Sequence, residues 1–121
     1  MVTKLLSYGA SLPATKLVPA LAEMQRARAG LARAFADVDA LLTPTTSHVA
    51  PRASSPAPQD QADFTALANV AGVPALAIPV AAASCPVSVQ LTGRAWSDRR
   101  LIDLAASIEA DKPSPCLSPV P

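Results

Sequence analysis

The sequence predicts an α/β fold with a small mixed sheet of about three strands and about three helices. Apolar side chains recur at helical spacing between Leu17 and Phe35. Two short runs, residues 75–80 and 87–91, are apolar or β-branched and are therefore typical of strands. Ahead of them, Gly72 with a proline two residues later stops a helix and turns the chain extended. The 121 residues are enough for one small domain.

Residues 1–12 form a lead-in without strong periodicity, and we expect Gly9 to break any helix there. The domain then spans residues 13–110 and begins with its longest helix. Pro19 lies inside the helical pattern, so it either kinks the helix or marks its first turn. We favour the first turn, which leaves residues 13–18 as a separate piece. The apolar stripe of this helix consists of Leu17, Leu21, Met24, Leu31 and Phe35.

Arg28 falls on the apolar stripe of this helix, and two interpretations stay open. Its stem could lie at the rim of the core with the charge in water, which we favour. Alternatively, its guanidinium is buried and pairs with an acid elsewhere in a larger enzyme. Arg26 and Arg33 project the other way, near Glu23, and indicate a solvated helix surface.

The first strand is predicted over residues 40–43, with Pro44 at its end. Asp37 and Asp39 end the preceding helix and open this strand. Because they are two positions apart, they do not share a helix face. We therefore interpret them as capping or turn residues rather than as a pair of acid and base groups.

The hydroxyl-rich segment 43–47 stands next to His48. A serine–histidine pair needs a specific geometry and a third group that orients the base, and neighbours in sequence seldom provide it. We interpret His48 as non-catalytic. Residues 49–59 follow as a loop rich in proline, alanine and serine, predicted to be extended on the surface.

A short amphipathic helix is predicted over residues 61–70, with Asp60 as its N-cap and Asp63 in its first turn. These carboxylates could instead face a pocket formed by the preceding loop, although we favour capping. Gly72 should end the helix in the left-handed conformation, which glycine adopts without a Cβ penalty.

The strand at 75–80 contains Pro79, which cannot donate to a sheet and so belongs at an edge, a bulge or a strand end. Residues 81–86 connect it to the strand at 87–91. Ser97 is the predicted N-cap of the last helix, whose buried stripe consists of Leu101, Leu104, Ala105 and Ile108. Residues 111–121 are proline-rich, and we expect them to be disordered.

Composition excludes several classes of function. The net charge is +1 and only 16% of residues are charged, so the sequence does not indicate a nucleic-acid partner. Prolines interrupt every long apolar stretch, which argues against a membrane span. Cys85 and Cys116 are the two cysteines, and no secretory segment precedes them. We therefore expect reduced thiols and a cytoplasmic location.

Linked motifs between residues 17 and 109 resemble the C-terminal part of the amidase signature family. The family's strand and following loop are similar to residues 39–45, and its closing helix is similar to residues 96–109. Ser88 departs from the pattern, because the family usually has glycine there, and this puts local packing or a nearby substrate wall in doubt. The other matching residues are Phe64, Thr65, Asn69, Ala71, Gly72, Pro74, Ala75, Pro79, Pro86, Val87, Gln90, Leu91 and Gly93.

The resemblance implies a fragment of the larger amidase signature fold. Enzymes of that family hydrolyse amide C–N bonds with a nucleophilic serine, a bridging serine in a cis peptide and a lysine, without metal or organic cofactor. Their serines lie in or beside a stretch rich in glycine and serine. In this chain no two glycines are close together, and Lys4, Lys16 and Lys112 lack the matching context. We therefore assign no catalytic, cofactor-binding or metal-binding residue.

Two functions follow from the resemblance, and both leave the isolated chain without predicted activity. The chain could be the C-terminal portion of an amidase, supplying strands and a wall of the substrate pocket. It could instead be a non-enzymatic module that pairs with another chain through an open sheet edge. A separate N-terminal amidase half or a second copy of the chain is the expected partner, and the parent enzyme's substrate would be a small amide.

Overall fold

Four helices and three strands make up the computed structural model, which describes residues 2–80 and 87–110. The elements are, in order, α1 (Val2–Ser11), α2 (Ala14–Ala34), β1 (Ala40–Pro44), α3 (Asp63–Ala71), β2 (Ala75–Val80), β3 (Val87–Gly93) and α4 (Asp98–Ala110). The predicted α/β class is confirmed. The predictions for the 81–86 connection, the 111–121 tail, Lys112 and the two cysteines lie outside the described residues.

The sheet has the order β1-β3-β2, with β3 in the centre. We expected a mixed sheet, but both pairings are antiparallel. Leu42 lies opposite Leu91, and Ile78 lies opposite Val89. The short segment between β2 and β3 accounts for their pairing, because a parallel crossover needs a dozen or more residues. Pro79 lies on an edge strand of the described sheet, as predicted, where its missing N–H breaks no inner hydrogen bond.

Helix α4 covers one face of the sheet. The buried core joins Ile78 and Leu91 of the sheet to Leu101 and Ala105 of the helix. Leu104 and Ile108 pack at its margin, so the predicted stripe of α4 is confirmed. Ser97 directly precedes the helix, as predicted, but its hydroxyl donates to the carbonyl of Arg94 at 2.7 Å instead of capping α4.

Helices α2 and α3 pack against each other. Leu31 and Phe35 of α2 and Ala68 of α3 are buried. The first half of the predicted α2 stripe, which contains Leu17, Leu21 and Met24, is exposed. Arg28 is exposed and its Nε donates to the carbonyl of Val70 near the end of α3. The favoured rim interpretation of Arg28 is therefore consistent with the structure, and no acid in the described residues pairs with it.

The structure corrects the prediction for the N-terminal segment. Residues 2–11 form helix α1, and Gly9 lies inside it. Glycine inside a helix costs only about 1 kcal/mol relative to alanine, so it weakens the helix without breaking it. Helix α2 begins directly after Pro13 and continues through Pro19, which makes the favoured separation at residues 13–18 wrong. The surrounding residues are exposed, so water can reach the carbonyl that Pro19 leaves without a donor.

The two ends of α3 differ in how well the sequence predicts them. Its first residue is Asp63 and its N-cap is Ala62, so the assignment of Asp60 as N-cap is wrong. Asp63 lies in the first turn, as predicted. At the other end Gly72 has φ 68° and ψ 41°, and its N–H donates to the carbonyl of Ala68 at 2.9 Å. The predicted left-handed helix end is confirmed.

Helix α2 ends before the two aspartates that we expected to end it, with Phe35 at its C-cap. Asp39 instead forms an ion pair with Arg100 of α4 at 2.8 Å. On the solvated face of α2, the hydrogen bond from Arg26, and then its charge, lower the pKa of Glu23 below its usual value. None of the helices in the described ranges is long and apolar enough to cross a membrane.

Candidate functional site

A cleft of about 250 Å³ lies at the end of the sheet where β1 stops and β3 begins. The loop after β1 forms most of its lining, and the first two residues of β3 complete it. We call it the loop cleft. Its lining residues are Thr46, His48, Val49, Ala50, Pro51, Pro58, Gln61, Val87 and Ser88.

His48 and Asp60 tie the two ends of this loop together. The Nε2 atom of His48 lies 3.0 Å from each carboxylate oxygen of Asp60. The hydroxyl of Ser47 also donates to the backbone carbonyl of Asp60, at 3.4 Å. Asp60 therefore holds the wall of the loop cleft instead of capping α3. Neither aspartate is among the residues that line the cleft: Asp60 holds His48, which does line it, and Asp63 lies in the first turn of α3.

This geometry gives His48 an acid partner but no nucleophile. A serine or threonine hydroxyl at the other ring nitrogen would be required for nucleophilic catalysis. The nearby Thr46 hydroxyl donates to the carbonyl of His48 at 2.7 Å. Within residues 2–80 and 87–110, no hydroxyl is hydrogen-bonded to the imidazole. The described arrangement can orient the loop, but it cannot activate a hydroxyl.

The sheet face next to α3 carries buried polar side chains. Gln90 and Thr92 are each only 5% exposed. The amide nitrogen of Gln90 donates to the carbonyl of Phe64 and to the hydroxyl of Thr92, both at 3.3 Å. On β1, Thr43 lies opposite Gln90, and its buried hydroxyl has no partner among the described residues; the same holds for Thr45, just beyond the strand. This face therefore has unused hydrogen-bonding capacity beside the cleft.

Ser88, the departure from the family pattern, lines the loop cleft. It pairs with Pro79 in the sheet, and its carbonyl accepts the N–H of Thr45 at 3.2 Å. A side chain at position 88 therefore adds a hydroxyl and bulk to the cleft wall, where glycine would leave the backbone bare. Together the lining offers apolar surface with a few hydroxyls, which is chemically suited to a small neutral molecule.

Sequence reasoning missed the contact between His48 and Asp60. The two residues are twelve positions apart across a proline-rich loop, and no local pattern links them. The only available signal was that a histidine and an aspartate stand near the two ends of one loop. In the described part of the chain, no group of three or more potential metal ligands is assembled.

A sequence model of the family described as Amidase matches residues 5–102. The chain is 41% identical over 99 residues to 2-amino-5-chloromuconic acid deaminase of Comamonas testosteroni, covering 74% of this chain and 21% of the relative. It is 40% identical over 86 residues to a mitochondrial glutamyl-tRNA(Gln) amidotransferase subunit of Anopheles gambiae, covering 64% and 18%. The chain thus spans about a fifth of the length of these curated relatives.

Solved structures show the same similarity. A crystal structure of an amidase superposes with a TM-score of 0.77 at 28% identity, covering 90% of this chain and 28% of that one. A glutamyl-tRNA(Gln) amidotransferase subunit of Thermotoga maritima gives a TM-score of 0.65 at 27% identity, covering 93% and 27%.

Proposed function

The chain belongs to the amidase family, and on that premise we propose that it is the C-terminal portion of an amidase-signature hydrolase. In this proposal it supplies sheet strands and one wall of the substrate pocket. The serines and the lysine that cleave the amide C–N bond belong to another stretch of polypeptide. The isolated chain is then inactive, and it needs neither metal nor organic cofactor.

The observation that carries the proposal is the chemistry of the loop cleft. Its lining contains an acid-paired histidine, hydroxyls and apolar side chains. In the described ranges no lysine lines it and no hydroxyl is hydrogen-bonded to the imidazole of His48. Such a lining can surround a small neutral amide without reacting with it, which is the role of a pocket wall.

Open sheet edges supply independent support. β1 and β2 flank β3, and in the described residues neither has a strand on its outer side. Unpaired edges of this kind accept further strands. A catalytic half that extends the sheet would lie beside β1 or β2.

The experiment is an assay of the purified chain against a panel of aliphatic and aryl amides. We expect no hydrolysis above a blank, because the serines and the lysine of the family have no counterpart here. His48→Ala provides the matched control. A turnover that survives repurification and is lost in that variant would overturn the proposal.

A second candidate is a non-enzymatic module that pairs with another chain through β1 or β2. The two open edges favour it as much as they favour an amidase portion. The DNA just upstream discriminates between the two. A frame encoding a stretch rich in glycine and serine supports the amidase portion, whereas an isolated gene with its own start supports the module.

The proposed partner is a separate N-terminal amidase half or a second copy of this chain. One matching relative is named as one of the subunits of an amidotransferase, so assembly with other chains has a precedent among its relatives. We propose a cytoplasmic location because the sequence contains only two cysteines, whereas small secreted domains typically carry enough for several disulfides.

A further inference from the structure

A second cavity, of about 460 Å³, lies at the opposite end of β3 from the loop cleft. It opens between the last turns of α2, the turn that follows α3 and the turn that follows β3. We call it the arginine groove. Its lining residues are Arg28, Leu31, Ala32, Phe35, Ala36, Ala71, Val73, Arg94 and Ala95.

The floor of the arginine groove is apolar and continues along α2. Leu31 and Phe35 are each 5% exposed and anchor the floor. Leu21 and Met24 belong to the same helical stripe but are exposed. Apolar side chains therefore continue along α2 on both sides of Arg28, over a greater length than a small ligand could cover.

Two guanidinium groups line the groove without a carboxylate. No acidic side chain is among the lining residues. In the described ranges the ion-paired arginines are Arg26, Arg99 and Arg100, so neither arginine of the groove is paired with an acid there. Arg28 donates its Nε to the carbonyl of Val70, and its terminal N–H groups have no hydrogen-bond partner among the described residues, so they can meet an incoming anion.

Trp96 directly follows Ala95, a lining residue of the groove, and its backbone is in a strained conformation. The turn after β3 closes with the N–H of Ser97 donating to the carbonyl of Arg94 at 3.1 Å. Trp96 occupies the third position of this turn with φ 65°, a conformation that favours glycine. Its side chain is 96% exposed. Strain of this kind concentrates at functional positions, and here it holds a tryptophan out in solvent.

We infer that the arginine groove and Trp96 together form a docking surface for a polypeptide segment with apolar side chains next to an acidic one. The apolar band takes the apolar side chains, and Arg94 and Arg28 take the carboxylate. Tryptophan and arginine dominate the energetics of protein interfaces, which favours a polypeptide over a small organic anion. The inference goes beyond the proposed function, because neither amide hydrolysis nor the sheet edges enter it.

The test is a selection of short random peptides against the immobilised chain. We expect enriched peptides to carry Asp or Glu next to Leu, Phe or Met. Binding of a selected peptide should weaken about tenfold or more in Arg94→Glu. Changing its acidic residue to lysine should restore binding to that variant. Arg52→Glu, a matched charge reversal in the loop, should leave the affinity unchanged.

Trp96→Gly separates docking from folding. Glycine adopts positive φ freely, so the variant should unfold at the same or a higher temperature, yet bind the peptide about tenfold more weakly. Selected peptides that bind Arg94→Glu and Trp96→Gly as well as the original chain would overturn the inference. It is overturned equally if no peptide is enriched, or if an aryl carboxylate such as phenylbutyrate binds as tightly as the selected peptides.

Discussion

Gly93 is the position where adding a single methyl group should most disturb this fold. It is the last residue of β3, and a Cβ atom there would lie 2.5 Å from the Oγ of Ser97 and 3.1 Å from a methyl group of Leu101. Its φ is not positive, so alanine can adopt the backbone conformation. Any loss of stability in Gly93→Ala must therefore come from contact with the start of α4.

The contacts set the expected magnitude. Ser97 would have to rotate and give up its hydrogen bond to the carbonyl of Arg94, at a cost of about 0.5–1.5 kcal/mol. Leu101 is 4% exposed in the core with Ile78 and Leu91, and displacing such a side chain costs about 1–3 kcal/mol. Alanine also reduces the entropy of the unfolded chain, which offsets about 0.4–1 kcal/mol. We expect a net destabilisation of about 0.5–4 kcal/mol.

Urea unfolding followed by circular dichroism measures this loss, at one protein concentration for all variants. Gly30→Ala is the matched control, because its nearest neighbour would be an arginine nitrogen at 4.0 Å, and it should stabilise α2 by up to about 1 kcal/mol. Ser97→Ala removes the closest clash, so its effect in the Gly93→Ala background should be less destabilising than in the original chain. Equal stability of Gly93→Ala and the original chain would refute the close approach, as would strict additivity of the two substitutions.

Three further predictions concern the end of α3, the loop and the open sheet. Gly72→Ala should lower the free energy of unfolding by about 1–2 kcal/mol, because a side chain there meets no neighbour and only the left-handed backbone is penalised. Gly72→Asn should lower it by less, because asparagine tolerates this conformation better. Equal urea midpoints for the alanine variant and the original chain would contradict the assigned helix end. Asp60→Asn should change the free energy of unfolding by less than about 1 kcal/mol, because both side chains of its pair with His48 are largely exposed. Limited proteolysis should nevertheless cut loop 49–59 faster in Asp60→Asn than in the control Asp63→Asn. An unchanged cleavage rate would mean that the pair does not hold the loop. The isolated chain should self-associate, so its mass from sedimentation should exceed the monomer mass. Its radius of gyration from small-angle scattering should exceed the value of about 14 Å for a compact monomer. A single monomeric species over a wide concentration range would contradict this.

Local rules predicted the second half of the fold well. The bounds of β2 and the left-handed Gly72 follow from residues that lie close together in sequence, because glycine and proline restrict the backbone directly. The same is true of the buried stripe of α4, where Leu101 and Ala105 recur at the helical period. In these segments local preference and tertiary packing agree.

The same local rules gave wrong predictions for glycine and proline in solvent-exposed stretches of helix. The sequence predicts that Gly9 breaks a helix and favours Pro19 as the first turn of one, yet both lie inside helices, in stretches that are exposed. The penalty for either residue is a lost or weakened backbone hydrogen bond, which water can partly replace at a surface. Sequence alone does not reveal which helices are exposed, so it overestimated the penalty at both positions.

The candidate site was predictable only as a region. The sequence leaves open a pocket formed by the loop ahead of Asp60, and the structure forms a cleft there. The pair between His48 and Asp60 could not be predicted, because its geometry depends on the path of the whole loop. The sequence favours capping for Asp60, because a carboxylate ahead of an apolar run is typical of a helix start.

The α2 stripe shows what periodicity can and cannot say about function. Four residues of α2 share one face with its C-cap residue, Phe35. Of these five, the described fold buries only Leu31 and Phe35. The exposed ones, Leu17, Leu21 and Met24, precede Arg28 on α2. Periodicity identifies a face that can be buried, whereas the fold decides how much of it the chain covers itself. The uncovered part is therefore surface available to another polypeptide, and peptide docking measures whether it is used.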